Sequence, residues 1–174
     1  MITSKVLIHT ALQPEAQYLI NYYKLKQDIS VQNSKLFFND NIILIVSGMG
    51  KTNTIDSLEY VFENYNIKKA INIGIVGCCD ESIKIGTLFC TNRLLPNINF
   101  ASITTVDEPL DSDENLETLL VDMESLYFKE TCLKYIKDVY VFKVVSDYLD
   151  VTIPKKSFVI ELIQNSFKSW EKYI

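Results

Sequence analysis

The chain is poor in the residues that bind phosphate, nucleic acid and metal ions. Its 174 residues include one arginine, Arg93, and one histidine, His9. Phosphate pockets favour arginine forks, so a phosphate-rich partner is badly supplied here. The net charge of −5 and the pI of about 4.9 also argue against nucleic acid or an anionic membrane surface. No apolar run approaches the roughly 20 residues that a membrane span needs. Met1-Ile-Thr-Ser-Lys-Val-Leu-Ile-His9 enters a strand-like run and shows no signal-peptide cleavage site. The four cysteines, Cys78, Cys79, Cys90 and Cys132, make no Cys-x-x-Cys pair. Reduced thiols in a cytoplasm are therefore expected. A thiol nucleophile would need a base, and His9 lies inside the first predicted strand, a core position. There is no Gly/Ser linker and no internal repeat, so residues 1–174 are expected to form one domain.

What is present reads as an alternation of strands and helices. Residues 5–10 predict a buried strand, and 14–25 a helix with Pro14 at its start, where the missing N–H costs nothing. Residues 29–31 and 35–38 predict a hairpin turning at Asn33-Ser34. Residues 42–46 are a continuous apolar run suited to a central strand. Residues 52–65 form a second helix with Ile55, Leu58, Phe62 and Tyr65 on one face. Strands follow at 70–76, 87–91, 101–106 and 119–122. Leu126, Cys132, Leu133 and Ile136 recur at helical spacing before the β-branched run Val139-Tyr-Val-Phe-Lys-Val-Val145. A last helix spans 156–170. The class is α/β, with helices on both faces of a mixed sheet.

The acids are the chemical signal. Val121-Asp-Met-Glu-Ser125 and Val144-Val-Ser-Asp147 flank a predicted strand–helix–strand unit. That unit places Glu124 and Asp147 beyond the carboxyl ends of neighbouring parallel strands, where open α/β sheets bind ligands. Glu15 follows the first strand in the same way. Each acid alone also fits a helix cap or first turn. Three of them at three strand ends suggest bond cleavage at a sugar or base. Asp107–Glu117 carries six acids and partly mimics a calcium loop at Asp111, Asp113 and Asn115. Leu116 replaces its glycine and no Glu stands at the twelfth position, so no metal is expected. Gly48-Met-Gly-Lys-Thr52 invites a phosphate-loop kinase reading, but that motif needs glycine where Ile45 stands. It reads instead as a glycine turn bringing backbone close to a ligand, and a purely structural turn satisfies the same residues.

These blocks resemble the nucleoside phosphorylase and nucleosidase family. Met123-Glu-Ser125 and Ser146-Asp147 are similar to its Met-Glu-Ser/Ala and Ser-Asp blocks. Ala11-Leu-Gln-Pro-Glu15, Ser47-Gly-Met-Gly-Lys51 and Asn72-Ile-Gly-Ile-Val-Gly77 followed by Lys84-Ile-Gly86 are similar to three others, in the same order. The nearest branch is the 5'-methylthioadenosine/S-adenosylhomocysteine nucleosidases. The resemblance implies a three-layer nucleoside phosphorylase-like fold, a small-molecule nucleoside substrate, no cofactor and a homodimer. It implies that Asp147 protonates N7 of adenine, Glu124 binds the ribose hydroxyls and Glu15 activates water. Met123 would pack on the ribose, Ser146 would support Asp147, and Val76 and Gly77 would bring backbone to the purine or ribose. The chain is shorter than typical members between Arg93 and Val121, and Pro109 and Leu110 stand where an aromatic and an aliphatic residue clasp the base. Met49, Leu110 and Phe100 would then lie near an open mouth that a partner chain covers. Family phosphorylases hold phosphate with arginines and a hydroxyl, and Ile75 stands where Ser is usual, so hydrolysis is expected. The alternatives are a phosphorylase, of purine or hopanoid-associated nucleosides because Thr105-Val-Asp107 is similar to that branch, and a catalytically silent nucleoside-binding module.

Overall fold

The computed structural model describes residues 4–110, 112, 116–150, 152 and 154–174. The chain runs β1 (Lys5–Thr10), α1 (Gln13–Tyr22), β2 (Lys26–Asp28), β3 (Lys35–Phe38), β4 (Ile42–Val46), α2 (Lys51–Asn64) and β5 (Ile67–Cys78). It continues with β6 (Leu88–Cys90), β7 (Asn99–Phe100), β8 (Ile103–Thr105), β9 (Leu120–Asp122), α3 (Ser125–Leu133), β10 (Val139–Asp147) and α4 (Lys156–Trp170). One mixed sheet results, in the order β2-β3-β4-β1-β5-β10-β6-β7. The central pairs β4–β1, β1–β5 and β5–β10 are parallel. Helices cover both faces. Ala16 and Leu19 of α1 and Ile163, Phe167 and Trp170 of α4 pack with Val6, Ile8, Ile71 and Ile73 on one face. Leu58 and Val61 of α2 and Phe128 and Cys132 of α3 pack with Leu7, Ile43 and Val139 on the other. This is the expected three-layer α/β architecture. β4 is buried at every position, which is why its sequence shows no alternation.

Several local expectations are corrected. The first arm of the hairpin is Lys26–Asp28 instead of 29–31: the Asp28 carboxylate accepts the Ser30 N–H at 2.9 Å, bending the chain and leaving Ile29 89% exposed. Helix α1 stops at Tyr22 because Lys24 turns left-handed at φ 51° and Leu25 N–H returns to the Ile20 carbonyl. On α3 the buried residues are Ser125, Phe128, Thr131 and Cys132, whereas Leu126 and Leu133 face solvent. The apolar residues of that helix were a misleading stripe, because two of its four inward positions are hydroxyls.

The largest correction concerns β9 and β10. They are not parallel neighbours, because β5 lies between them. Gly77 pairs with Asp147 of β10 on one edge and with Val121 of β9 on the other, and β9 runs antiparallel to β5. β9 therefore shares the β5 edge used by β1, which pairs lower down at residues such as Asn72. The carboxyl ends of β1 and β9 point toward each other across a gap beside β5. Glu15 and Glu124 enter that gap from its two sides.

Candidate active site

The gap is the floor of a cleft enclosing about 620 Å³ of non-protein space, its open mouth included. Nine of the ten residues expected at the site line it: Glu15, Met49, Val76, Gly77, Pro109, Met123, Glu124, Ser146 and Asp147. Leu110 lines an adjoining cavity that shares Gly77, Pro109, Met123 and Asp147. Phe100 lines neither; it is half-exposed on the edge strand β7. The calcium-loop positions Asp111, Asp113 and Asn115 lie outside the described residues. Among the described residues no three His, Cys, Asp or Glu side chains are grouped to hold a metal ion.

Glu15 sits in the first turn of α1 and is buried. Its Oε2 accepts the N–H groups of Ala11 at 3.0 Å and Leu12 at 2.8 Å, and its Oε1 accepts Ile75 N–H at 2.9 Å. Glycine at 74 makes this possible. A Cβ there would stand 2.9 Å from Glu15 Oε1 and 3.3 Å from Lys143 Nζ. Burial pushes the Glu15 pKa up, with Lys143 and the three N–H donors pulling against it.

Glu124 stands at the N-cap position of α3 without capping it by its side chain, and its Oε1 accepts the Gly50 N–H at 3.1 Å. The Gly48–Gly50 turn, with φ of 88° and 89° at its glycines, thus presents backbone to a carboxylate of the same chain. Lys51 does not enter this turn; its ammonium lies 5.5 Å above the Tyr127 ring. A phosphate-loop kinase is not what this turn is built for. Burial raises the Glu124 pKa to about 7, opposed by Lys143 and reinforced by Asp122 and Glu15.

Two residues at the heart of the site were missed from the sequence. Lys143 is buried on β10, 2.7 Å from Asp122 Oδ2, with both side chains 2% exposed. Burial alone would lower its pKa, but Asp122, Glu124 and Glu15 outweigh that and the net shift is upward. Asp122 also accepts the N–H and hydroxyl of Ser125 and the Thr105 hydroxyl at 2.8 Å. A signal was available: Lys143 is the one charge in the apolar run Val139–Val145, and such a lysine is buried only when paired.

Asp147 ends β10. Its Oδ2 accepts the Ser146 hydroxyl at 2.6 Å and its Oδ1 accepts Asp150 N–H at 3.0 Å. A Cβ at Gly77 would lie 3.3 Å from Oδ1, so that glycine, near the end of β5, leaves room for the acid and makes no tight turn. His9 is the core residue expected. Its Nε2 contacts Ser47 Oγ at 2.9 Å and its Nδ1 contacts Asn72 Nδ2 at 2.8 Å. Burial and Lys143 lower its pKa to about 3, so it is neutral. The Ser47 hydroxyl donates to the Gly48 carbonyl, which assigns the ring proton to Nε2.

The raised Glu124 pKa makes a stability prediction. An acid whose pKa rises on folding stabilises the fold below its unfolded pKa and loses that contribution as pH rises through the folded value. From an ordinary 4.5 to about 7, the effect is up to about 3 kcal/mol. Wild-type protein should therefore lose stability to urea between about pH 4.5 and 8, with Glu15 acting in the same direction. Glu124→Gln should flatten much of that slope. An unchanged slope in the variant would show that Glu124 does not carry it.

A family model described as the phosphorylase superfamily matches residues 5–113. A 5'-methylthioadenosine/S-adenosylhomocysteine nucleosidase of Staphylococcus haemolyticus is 30% identical over 89 residues, which cover 49% of this chain and 39% of that protein. A protein of the same name from Buchnera aphidicola subsp. Baizongia pistaciae is 25% identical over 166 residues, covering 89% of this chain and 64% of the relative. The chain thus spans less than two thirds of the length of these curated relatives. Among solved structures, a futalosine hydrolase mutant of Helicobacter pylori strain 26695 superposes with a TM-score of 0.82 at 14% identity, over 98% of each chain. That last likeness is one of fold.

Proposed function

The chain belongs to the phosphorylase superfamily, and from that premise we propose that it is a purine nucleosidase, hydrolysing a 5'-thioadenosine to adenine and the free thio-sugar. The observation that carries this reading is the convergence of Glu15, Glu124 and Asp147 on one cleft that no arginine lines. Arg93 sits at the opposite end of β10, bonded to the Lys137 carbonyl and paired with Asp138 at 3.2 Å. A phosphate acceptor has no arginine fork to hold it, and water is left as the nucleophile.

In this reading Asp147 delivers a proton to N7 of the departing base, so that adenine leaves neutral. Glu124, anchored by Gly50, accepts hydrogen bonds from the ribose hydroxyls and steadies the positive sugar of the transition state. Glu15 takes a proton from the attacking water. Burial raises its pKa and makes it the stronger base for that step. Lys143 keeps three buried acids from repelling one another. Met123 packs on the sugar, and Pro109 and Leu110 border the base. Residues 1–174 act as one domain, and the buried thiols of Cys78, Cys90 and Cys132 suit a cytoplasmic setting.

The test is adenine release from 5'-methylthioadenosine with and without phosphate. Equal rates are expected. Strict dependence on phosphate would make the protein a phosphorylase, and binding without turnover at any pH would make it a silent nucleoside-binding module.

The same reading includes a homodimer whose partner walls the cleft mouth. Met49 lines the cleft yet is 41% exposed, so one side of the mouth is apolar and uncovered. Light scattering at micromolar concentration should give the mass of two chains. A monomeric mass with full activity would remove this part.

A further inference from the structure

One buried histidine takes no part in the chemistry above, yet it touches both sides of the contact that holds Glu124. His9 is fully buried on β1, and its Nε2–H donates to Ser47 Oγ at 2.9 Å. Ser47 is the root of the Gly48–Gly50 turn, and its own hydroxyl donates to the Gly48 carbonyl at 2.7 Å. The other two carbonyls of the turn are held as well. Met49 O accepts the Asn53 amide at 2.9 Å, and Gly50 O accepts the Thr54 hydroxyl at 2.8 Å. With its carbonyls fixed, the turn aims the Gly50 N–H at Glu124 Oε1. The same imidazole packs on Phe128, with ring centroids 5.3 Å apart. Phe128 lies in the first turn of α3, and its N–H donates to the Glu124 carbonyl at 2.9 Å. His9 thus meets the donor's turn through Ser47 and the acceptor's helix through Phe128.

The ring is itself held. Asn72 of β5, level with His9 across the strand pair, presents its Nδ2 to the ring Nδ1 at 2.8 Å. Among the described residues, the Asn72 Oδ1 is left buried without a partner. An unmet buried acceptor is a cost, and it comes with keeping the amide N–H on the imidazole. A residue that only filled space would need none of this.

Resting on the nucleosidase reading, we infer that His9 is a positioning residue, which fixes Gly50 and Glu124 relative to each other and so the place where ribose hydroxyls are received. It lines neither the cleft nor the adjoining cavity, and it acts through Ser47 and Phe128. The neutral ring suits the task, because one nitrogen donates while the other accepts. Without the Nε2–H, Ser47 Oγ would lose its donor and its hydroxyl could swing to the Thr10 carbonyl, 3.5 Å away. The Gly48 carbonyl would then be released, and the Gly50 N–H would lose its aim.

The test compares 5'-methylthioadenosine with its 3'-deoxy analogue, by adenine release and by calorimetric binding. Wild type should prefer the ribonucleoside in kcat/KM by at least about 10-fold, the worth of one hydrogen bond to a charged group. His9→Phe keeps a ring against Phe128 but donates nothing, and should cut that preference to within about three-fold. Ser47→Ala should do the same, and the double variant should do no more, because both act through one bond. His9→Gln can still donate to Ser47 and should keep most of the preference. A histidine that only stabilised the core would lower the urea midpoint and leave the preference of the folded protein unchanged. That result, or a wild type indifferent to the 3'-hydroxyl, overturns the proposal. Ser47→Ala carries the test if His9→Phe does not fold. Binding without adenine release would overturn the nucleosidase reading alone, and the preference would then be read from Kd. A wild type that neither binds nor cleaves either probe would overturn both.

Discussion

Asp147→Asn should fold like the wild type and release adenine at least about 100-fold more slowly. The amide keeps the size of the carboxyl; its oxygen can still accept the Asp150 N–H, and its NH2 can donate to the Ser146 hydroxyl. It cannot hand a proton to N7. The departing base would then leave as an anion, and the rate should drop through kcat and not through substrate affinity. The clean comparison is single-turnover adenine release beside binding of 5'-methylthioadenosine to the same variant. A rate within a few-fold of wild type would remove Asp147 from the role of acid. Loss of binding together with rate would instead make it a recognition group.

The other large effect is expected on stability. Lys143→Met leaves Asp122 without the ammonium 2.7 Å away and removes what is, among the described residues, the only cation facing Glu15 and Glu124. Deleting one partner of a buried ion pair costs about 3–5 kcal/mol, because the remaining charge stays desolvated. The sign of the pH dependence follows. Lys143 pulls the pKa of Glu15 and Glu124 down, so its removal raises both further above their unfolded values. The variant's deficit should therefore be larger at pH 8 than at pH 5, where Glu124 is largely protonated in both folded proteins. Urea midpoints of wild type and variant at the two pH values measure this. Adding Glu124→Gln should restore part of the deficit at pH 8. Equal midpoints at both pH values would show that Lys143 is not what neutralises the cluster.

Much of the architecture was legible because it depends on local pattern. The runs over β1, β4 and β10 are apolar and β-branched, and the apolar face read over α2 repeats at helical spacing, so their identity as elements followed from local pattern alone. The site acids were legible through short blocks at strand ends, and Glu15, Glu124 and Asp147 do face one cleft. The β9–α3–β10 unit was misjudged because strand direction depends on pairing with β5, some 45 residues upstream in the chain. Lys143 escaped notice for a related reason. Its period-two position marks it as inward-facing, yet nothing within the run Val139–Val145 says that Asp122 and two glutamates stand opposite.

The order of chemical types along the chain determined the α/β class, the scarcity of phosphate-binding groups and the acids that end the strands. These are properties of neighbouring residues and of composition, and burial or exposure follows from their period. The tertiary structure decided the rest: that β1 and β9 meet head to head beside β5, that Gly74 and Gly77 exist to admit Glu15 and Asp147, and that one buried lysine offsets three acids. The physical reason is desolvation. A carboxylate's pKa and partners are set by whichever groups share its low-dielectric surroundings, and those groups come from strands far apart in the chain.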